Sequence, residues 1–134
     1  MSSIEQRTDN IRAAWNNHDA SDFATQFSPD AVVRFIATGE VVQGQKQIQG
    51  FAAALLEAFP DLRLDRQNTY GCGETVRVIE WTITATHDGQ FLGVPPTHHS
   101  VEIHGCSIFV LGADGFVSEE SLYMDAATIL RPLK

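Results

Sequence analysis

An α+β fold, with helices gathered ahead of a curved and mostly antiparallel sheet, is what this sequence predicts, on three observations. Apolar residues recur at helical spacing as far as Pro60, they alternate from Leu62 onward, and glycine-bearing turns separate the later strands too tightly for crossover helices. A chain of 134 residues with that order of elements makes a single domain over residues 1–134, long enough for one core and too short for two.

Each element has its own signal. Ile4, Ile11, Ala14 and Trp15 lie at near-helical spacing among charged residues and predict an amphipathic first helix, which Asn16, Asn17, His18 and Asp19 break. Asp19 or Ser21 can cap a short second helix that turns Phe23 and Phe27 inward. Ser28-Pro29-Asp30 reads as a turn before a β-branched and aromatic strand, Ala31 to Thr38. After Gly39 and Gly44, the residues Ile48, Phe51, Ala52, Leu55 and Phe59 recur at i, i+3, i+4, i+7 and i+11 until Pro60 ends the third helix. Leu62 and Leu64 open a strand, Tyr70-Gly71-Cys72-Gly73 reads as a turn, and Thr75 to His87 forms a long strand rich in Val, Ile, Thr and Trp. Two further strands, His99 to Leu111 and Phe116 to Tyr123, flank the Ala113-Asp114-Gly115 turn. Ala126 to Leu130 has room for one or two helical turns.

Composition narrows the functional classes. The formal charge is −8 with nine Lys and Arg scattered along the chain, so no basic stripe exists to neutralise phosphates. Nucleic acid and anionic membranes are therefore not expected partners. The first residues carry Glu5 and Asp9 and lack the pattern of a secretory signal, and no stretch approaches the roughly 20 apolar residues of a membrane span. Cys72 and Cys106 are too few for a disulfide framework and suit a reducing compartment, which makes a cytoplasmic protein the expectation.

Several segments resemble SnoaL-like polyketide cyclases, of the nuclear transport factor 2-like superfamily. AAWNNHDASDFATQFSPDAVV is similar to the family's first two helices and first strand, and Ala58-Phe59-Pro60-Asp61 to the end of its third helix. HDGQFLGVPPTHH, from His87, is the most specific match; Gly115, Tyr123, Asp125 and Ile129-Leu130 follow it. The resemblance implies a cone-shaped domain whose helices pack on the concave face of the sheet, an apolar cavity, a homodimer, and cofactor-free cyclisation of a polyketide by proton transfer. In the characterised cyclases an Asp and a His share that work. Counted from Gly115, the His position falls on Ile108 and the Asp position on Leu122, neither of which can move a proton.

Other residues then have to carry any chemistry. A carboxylate or imidazole facing apolar walls is the expected general base, because desolvation moves a carboxyl pKa toward neutrality. The resemblance places Ile108 inward, and alternation then puts His104 on the same face, so His104 is the first candidate. Its structural reading is a half-buried histidine hydrogen-bonded to the frame. Tyr123 can donate to a substrate oxygen or simply pack; Asp125 can act as base or cap the terminal segment. His87 lies at the cavity mouth or fixes the Asp88-Gly89 turn. Trp15, Phe35, Phe51, Trp81, Phe91, Ile108 and Leu122 are the candidate walls for an apolar or aromatic small molecule. His98 and His99 point to opposite faces if on a strand and cannot readily chelate one ion, so no metal is expected. The rival to an isomerase or cyclase is a noncatalytic small-molecule-binding or dimerisation module.

Overall fold

Three helices and six strands make up the computed structural model, which describes residues 2–127. Helix α1 (Ser3–Asn16) begins where the Ser2 hydroxyl accepts the Glu5 N–H, and α2 (Ala20–Thr25) where Asp19 accepts the Asp22 N–H at 2.9 Å. Both are ordinary side-chain caps that satisfy otherwise orphaned donors. Helix α3 (Gln45–Ala58) follows Gly44, whose φ of 83° favours glycine, and turns Ile48, Phe51, Ala52, Leu55 and Ala58 into the core.

The strands are β1 (Phe27–Phe35), β2 (Glu40–Gln43), β3 (Arg63–Cys72), β4 (Val76–Thr86), β5 (Ser100–Leu111) and β6 (Val117–Met124). They form one curled, open sheet in the order β2-β1-β6-β5-β4-β3. Every neighbouring pair is antiparallel except β1 and β6, which run parallel. That exception follows from connectivity: helix α3 and the four strands between β1 and β6 supply the crossover a parallel pair requires.

Three expectations need correction. Ser28-Pro29-Asp30 is not a turn but part of β1, where the register against β6 slips between Phe27 and Val32 and leaves exposed Pro29 out of the regular ladder. Tyr70 and Gly71 continue β3, and the reversal waits for Gly73 at φ 62°. The short, mostly exposed β2 was not expected; it is too polar to carry an alternation signal and is held by pairing with β1 from Val32↔Gln43 to Phe35↔Glu40. Most of Ala126 to Leu130, and the apolar pair Ile129-Leu130, lie outside the described residues.

Helix α1 is fixed to the sheet near both ends. Arg7 donates to the Gly115 carbonyl at 3.0 Å and stacks 3.9 Å above the Phe116 ring, which ties it to the β5–β6 hairpin. Asn16 accepts the Leu64 N–H at 2.6 Å and donates to the Leu64 carbonyl at 3.0 Å, which ties the helix end to β3. Between these two points α1 bridges the curled sheet, and the space beneath it becomes the site.

Candidate functional site

Strand alternation decides which side chains face that space. On β5, Val101, Ile103, Ser107 and Phe109 are buried, while Glu102, His104, Cys106 and Ile108 stand on the other face, half-buried or exposed. On β6 the inward residues are Glu120 and Leu122, and on β4 Ile79, Trp81 and Ile83. The expectation that Ile108 and His104 face the cavity is thus corrected by one residue. Val110 pairs with Glu119 but Leu111 pairs with Val117, so β6 holds one extra residue beside the turn. Symmetric counting from Gly115 assumes no such bulge. With it, Leu122 opposes Ser107, and Ile108 opposes Ser121.

A cavity opens between α1 and β3 to β6, lined by Thr8, Ile11, Arg12, Trp15, Leu55, Leu62, Leu64, Arg66, Ile79, Trp81, Ile83, Ser107, Phe109, Glu120, Leu122 and Met124. The space that the centre of a water molecule can reach inside it is about 50 Å³. Its walls are largely apolar, and the half-buried Arg12, Trp15, Leu64, Arg66 and Met124 form the rim.

Glu120 is the chemical centre of this cavity. The Trp81 indole N–H donates to the Ser107 hydroxyl at 3.1 Å, and that hydroxyl donates to Glu120 Oε2 at 2.8 Å. The other carboxyl oxygen, Oε1, is buried with no hydrogen-bond partner. Burial pushes the Glu120 pKa up to about 7, against the smaller opposing effect of the Ser107 hydrogen bond. A carboxyl in that state exchanges a proton near neutrality, and its open oxygen belongs to a residue lining an apolar cavity.

Gly105 makes this arrangement possible. It pairs directly with Trp81, and a Cβ there would meet the indole at 2.5 Å and also the Tyr123 carbonyl oxygen. The bare backbone lets the indole lie across β5 and reach Ser107.

The remaining expected site residues divide by location. Trp15, Trp81 and Leu122 line the cavity. Phe35, Phe51 and Phe91 instead pack together beyond it, with ring centroids 5.6 Å apart for Phe35 and Phe51 and 6.3 Å for Phe35 and Phe91. His87 is fully buried at the end of β4, outside the cavity lining. Its Nδ1 accepts the Thr97 N–H at 3.3 Å, and its ring lies 5.7 Å from Phe59. His104 has a 69% exposed side chain on the outer face, between the Thr82 hydroxyl and Glu102. Tyr123 is 41% exposed on the same face. Asp125 lies just past β6, where its N–H donates to the His104 carbonyl at 3.2 Å. His98 is exposed and paired with Asp88 at 2.9 Å.

Glu120, Ser107 and Arg12 were missed as site residues. The signal for Glu120 was present, since it stands two places before Leu122 and so shares its face. Its neighbour Glu119 belongs to the opposite face and makes an ordinary surface ion pair with Arg34 at 3.2 Å.

Comparison with known proteins agrees with this architecture. The sequence model for the SnoaL-like polyketide cyclase matches residues 6–133. No curated protein sequence matches the chain. Among solved structures, AclR from Streptomyces galilaeus, a candidate hydroxylase, is 29% identical with a TM-score of 0.79, over 95% of this chain and 92% of its own. A candidate SnoaL-like polyketide cyclase from Jannaschia sp. CCS1 is 25% identical with a TM-score of 0.79, over 96% and 91%. IdmH from Streptomyces antibioticus, a candidate polyketide cyclase, shares the fold at 22% identity and a TM-score of 0.79, over 95% of each chain.

Proposed function

We propose that this chain, which belongs to the SnoaL-like polyketide cyclase family, binds an apolar or aromatic carbonyl compound in the cavity under α1 and moves a proton on it without a cofactor, as a cyclase or isomerase. The observation that carries this reading is the buried Glu120 carboxyl, on a residue that lines an apolar cavity, with one oxygen held by Ser107 and the other buried without a partner.

Glu120 in its ionised form takes a proton from the carbon beside a substrate carbonyl through Oε1, leaving an enolate. The enolate carbon then attacks a second carbonyl, whose alkoxide oxygen takes the proton back from Glu120, or, where a C=C bond is conjugated with the enolate, Glu120 returns the proton to the far carbon of that system. No electron leaves the substrate, and the carboxyl ends as it began. A pKa of about 7 keeps both protonation states populated at neutral pH, which suits a group that must take and return a proton. Ser107 and Trp81 act as positioning residues, holding the carboxyl plane so that only Oε1 is free. The usual acid/base pair of the family is thus replaced by one carboxylate displaced two residues along β6.

Proton–deuteron exchange at the α-carbon of 2-tetralone, followed by NMR in D₂O, tests this directly. The protein accelerates exchange, and Glu120→Gln lowers that acceleration by about 10²-fold or more. Exchange that is undiminished in Glu120→Gln overturns the assignment, and binding without any exchange makes the protein a noncatalytic binding module.

We also propose a cytoplasmic homodimer. The thiols of Cys72 and Cys106 are free, which suits a reducing compartment. The outer face of β4 to β6 presents Tyr123 with half-buried Val78 and Ile108, a surface on which a second copy can pack. Sedimentation velocity decides the assembly, and a single species at 14.7 kDa excludes it.

A further inference from the structure

The two arginines at the cavity rim are not equivalent. Arg66 on β3 is neutralised, its Nη1 lying 2.7 Å from Asp9 Oδ1. Arg12, one turn after Asp9 on α1, is half-buried, lines the same cavity, and has no hydrogen bond or ion pair among the described residues. Its nearest acidic neighbour in helical register is already committed to Arg66. In a chain of net charge −8, a guanidinium left without a carboxylate beside an apolar cavity stands out.

A partly desolvated cation is costly unless something pairs with it. The planar guanidinium presents parallel N–H donors that match a carboxylate. A single such group, with no second free cation lining the cavity among the described residues, fits one carboxylate better than a phosphate dianion.

We propose that Arg12 anchors the carboxylate of an otherwise apolar ligand, so that the protein favours a keto acid or a related aryl or alkyl acid over a neutral compound of the same shape. This rests on the reading of the cavity as a small-molecule site. The apolar body lies against Ile11, Trp15, Ile79 and Leu122, and the acid stays at the rim with Arg12, clear of the buried Glu120. That division keeps the ligand's charge outside the interior while its reacting carbon approaches Oε1.

The test uses 3-phenylpropanoate and its neutral counterpart 3-phenylpropan-1-ol, with affinities read by ligand-observed NMR titration of the full chain. The expected result is at least tenfold tighter binding of the acid, and Arg12→Met brings the two affinities within about twofold while leaving that of the alcohol unchanged. Equal binding of both compounds to the native protein, or an acid preference undiminished in Arg12→Met, overturns the anchor and leaves the cavity reading intact. Binding of neither compound to the native protein overturns both. If Arg12→Met also loses the alcohol, Arg12→Lys decides: an acid preference kept in part supports the anchor, and its complete loss with the alcohol still bound overturns a role for the charge.

Discussion

Ser107 and Glu120 occupy diagonal positions on β5 and β6, and the hydroxyl of the first donates to the carboxyl of the second at 2.8 Å. Among the described residues, that single donor is the one hydrogen bond offered to a carboxylate that is only 4% exposed. Ionising Glu120 therefore works against the fold.

The consequence is a measurable pH dependence. Glu120 has a folded-state pKa of about 7, above the ordinary 4.5, so the native state binds more protons than the unfolded chain between those values. Its neutral form is fully compatible with folding below about pH 4.5, and stability falls as pH rises toward about 7, by about 3 kcal/mol in all. Glu120→Gln removes this titration. Urea unfolding of the native protein and the variant should show the variant gaining stability relative to the native protein between pH 4.5 and pH 8. A difference that stays constant across that range contradicts the burial of an ionisable Glu120.

Gly105→Ala tests how the indole reaches the carboxyl. The added methyl meets the Trp81 ring and the Tyr123 carbonyl oxygen, and the latter is backbone that cannot move without parting β5 from β6. A loss of about 1–3 kcal/mol is expected, as for an overpacked site, with a change in Trp81 fluorescence as the indole leaves Ser107. Unaltered stability and emission mean that the ring does not lie across Gly105.

The helices and the long strands were legible because each carries a periodic apolar signal that burial enforces. The aromatic wall was only half legible: Trp15 and Trp81 reach the cavity, whereas Phe35, Phe51 and Phe91 satisfy one another. Nothing in one-dimensional spacing distinguishes a ring that lines space from one that fills it. His104 failed for a sharper reason. A single extra residue in β6 reverses the relation between the two strands of the hairpin, and a count taken through the turn inherits that reversal. Glu120 could have been found by starting from Leu122 and stepping back two residues along β6, since the bulge lies nearer the turn.

Asn16→Ala should loosen the roof of the cavity. Its amide satisfies both backbone groups of Leu64, and the variant leaves that N–H and C=O without these partners at a part-buried position. A cost of about 1–3 kcal/mol is expected, with faster amide exchange at Leu64. Native protection at Leu64 in the variant means that α1 is held by other contacts.

His104 and Glu120 give the clearest contrast, because a histidine is the more usual guess for proton transfer and only one of the two faces the cavity. His104 touches Thr82 and Glu102 on the solvent side, and its partner Glu102 is itself 44% exposed, so this contact contributes little. His104→Ala is expected to change stability by no more than about 0.5 kcal/mol. It should also leave 2-tetralone exchange at the native rate, whereas Glu120→Gln removes it. The double variant then behaves as Glu120→Gln alone, since a residue across the sheet adds nothing once the inward carboxyl is gone. A large loss of exchange in His104→Ala, with the fold intact by circular dichroism, reverses the assignment of the reacting face.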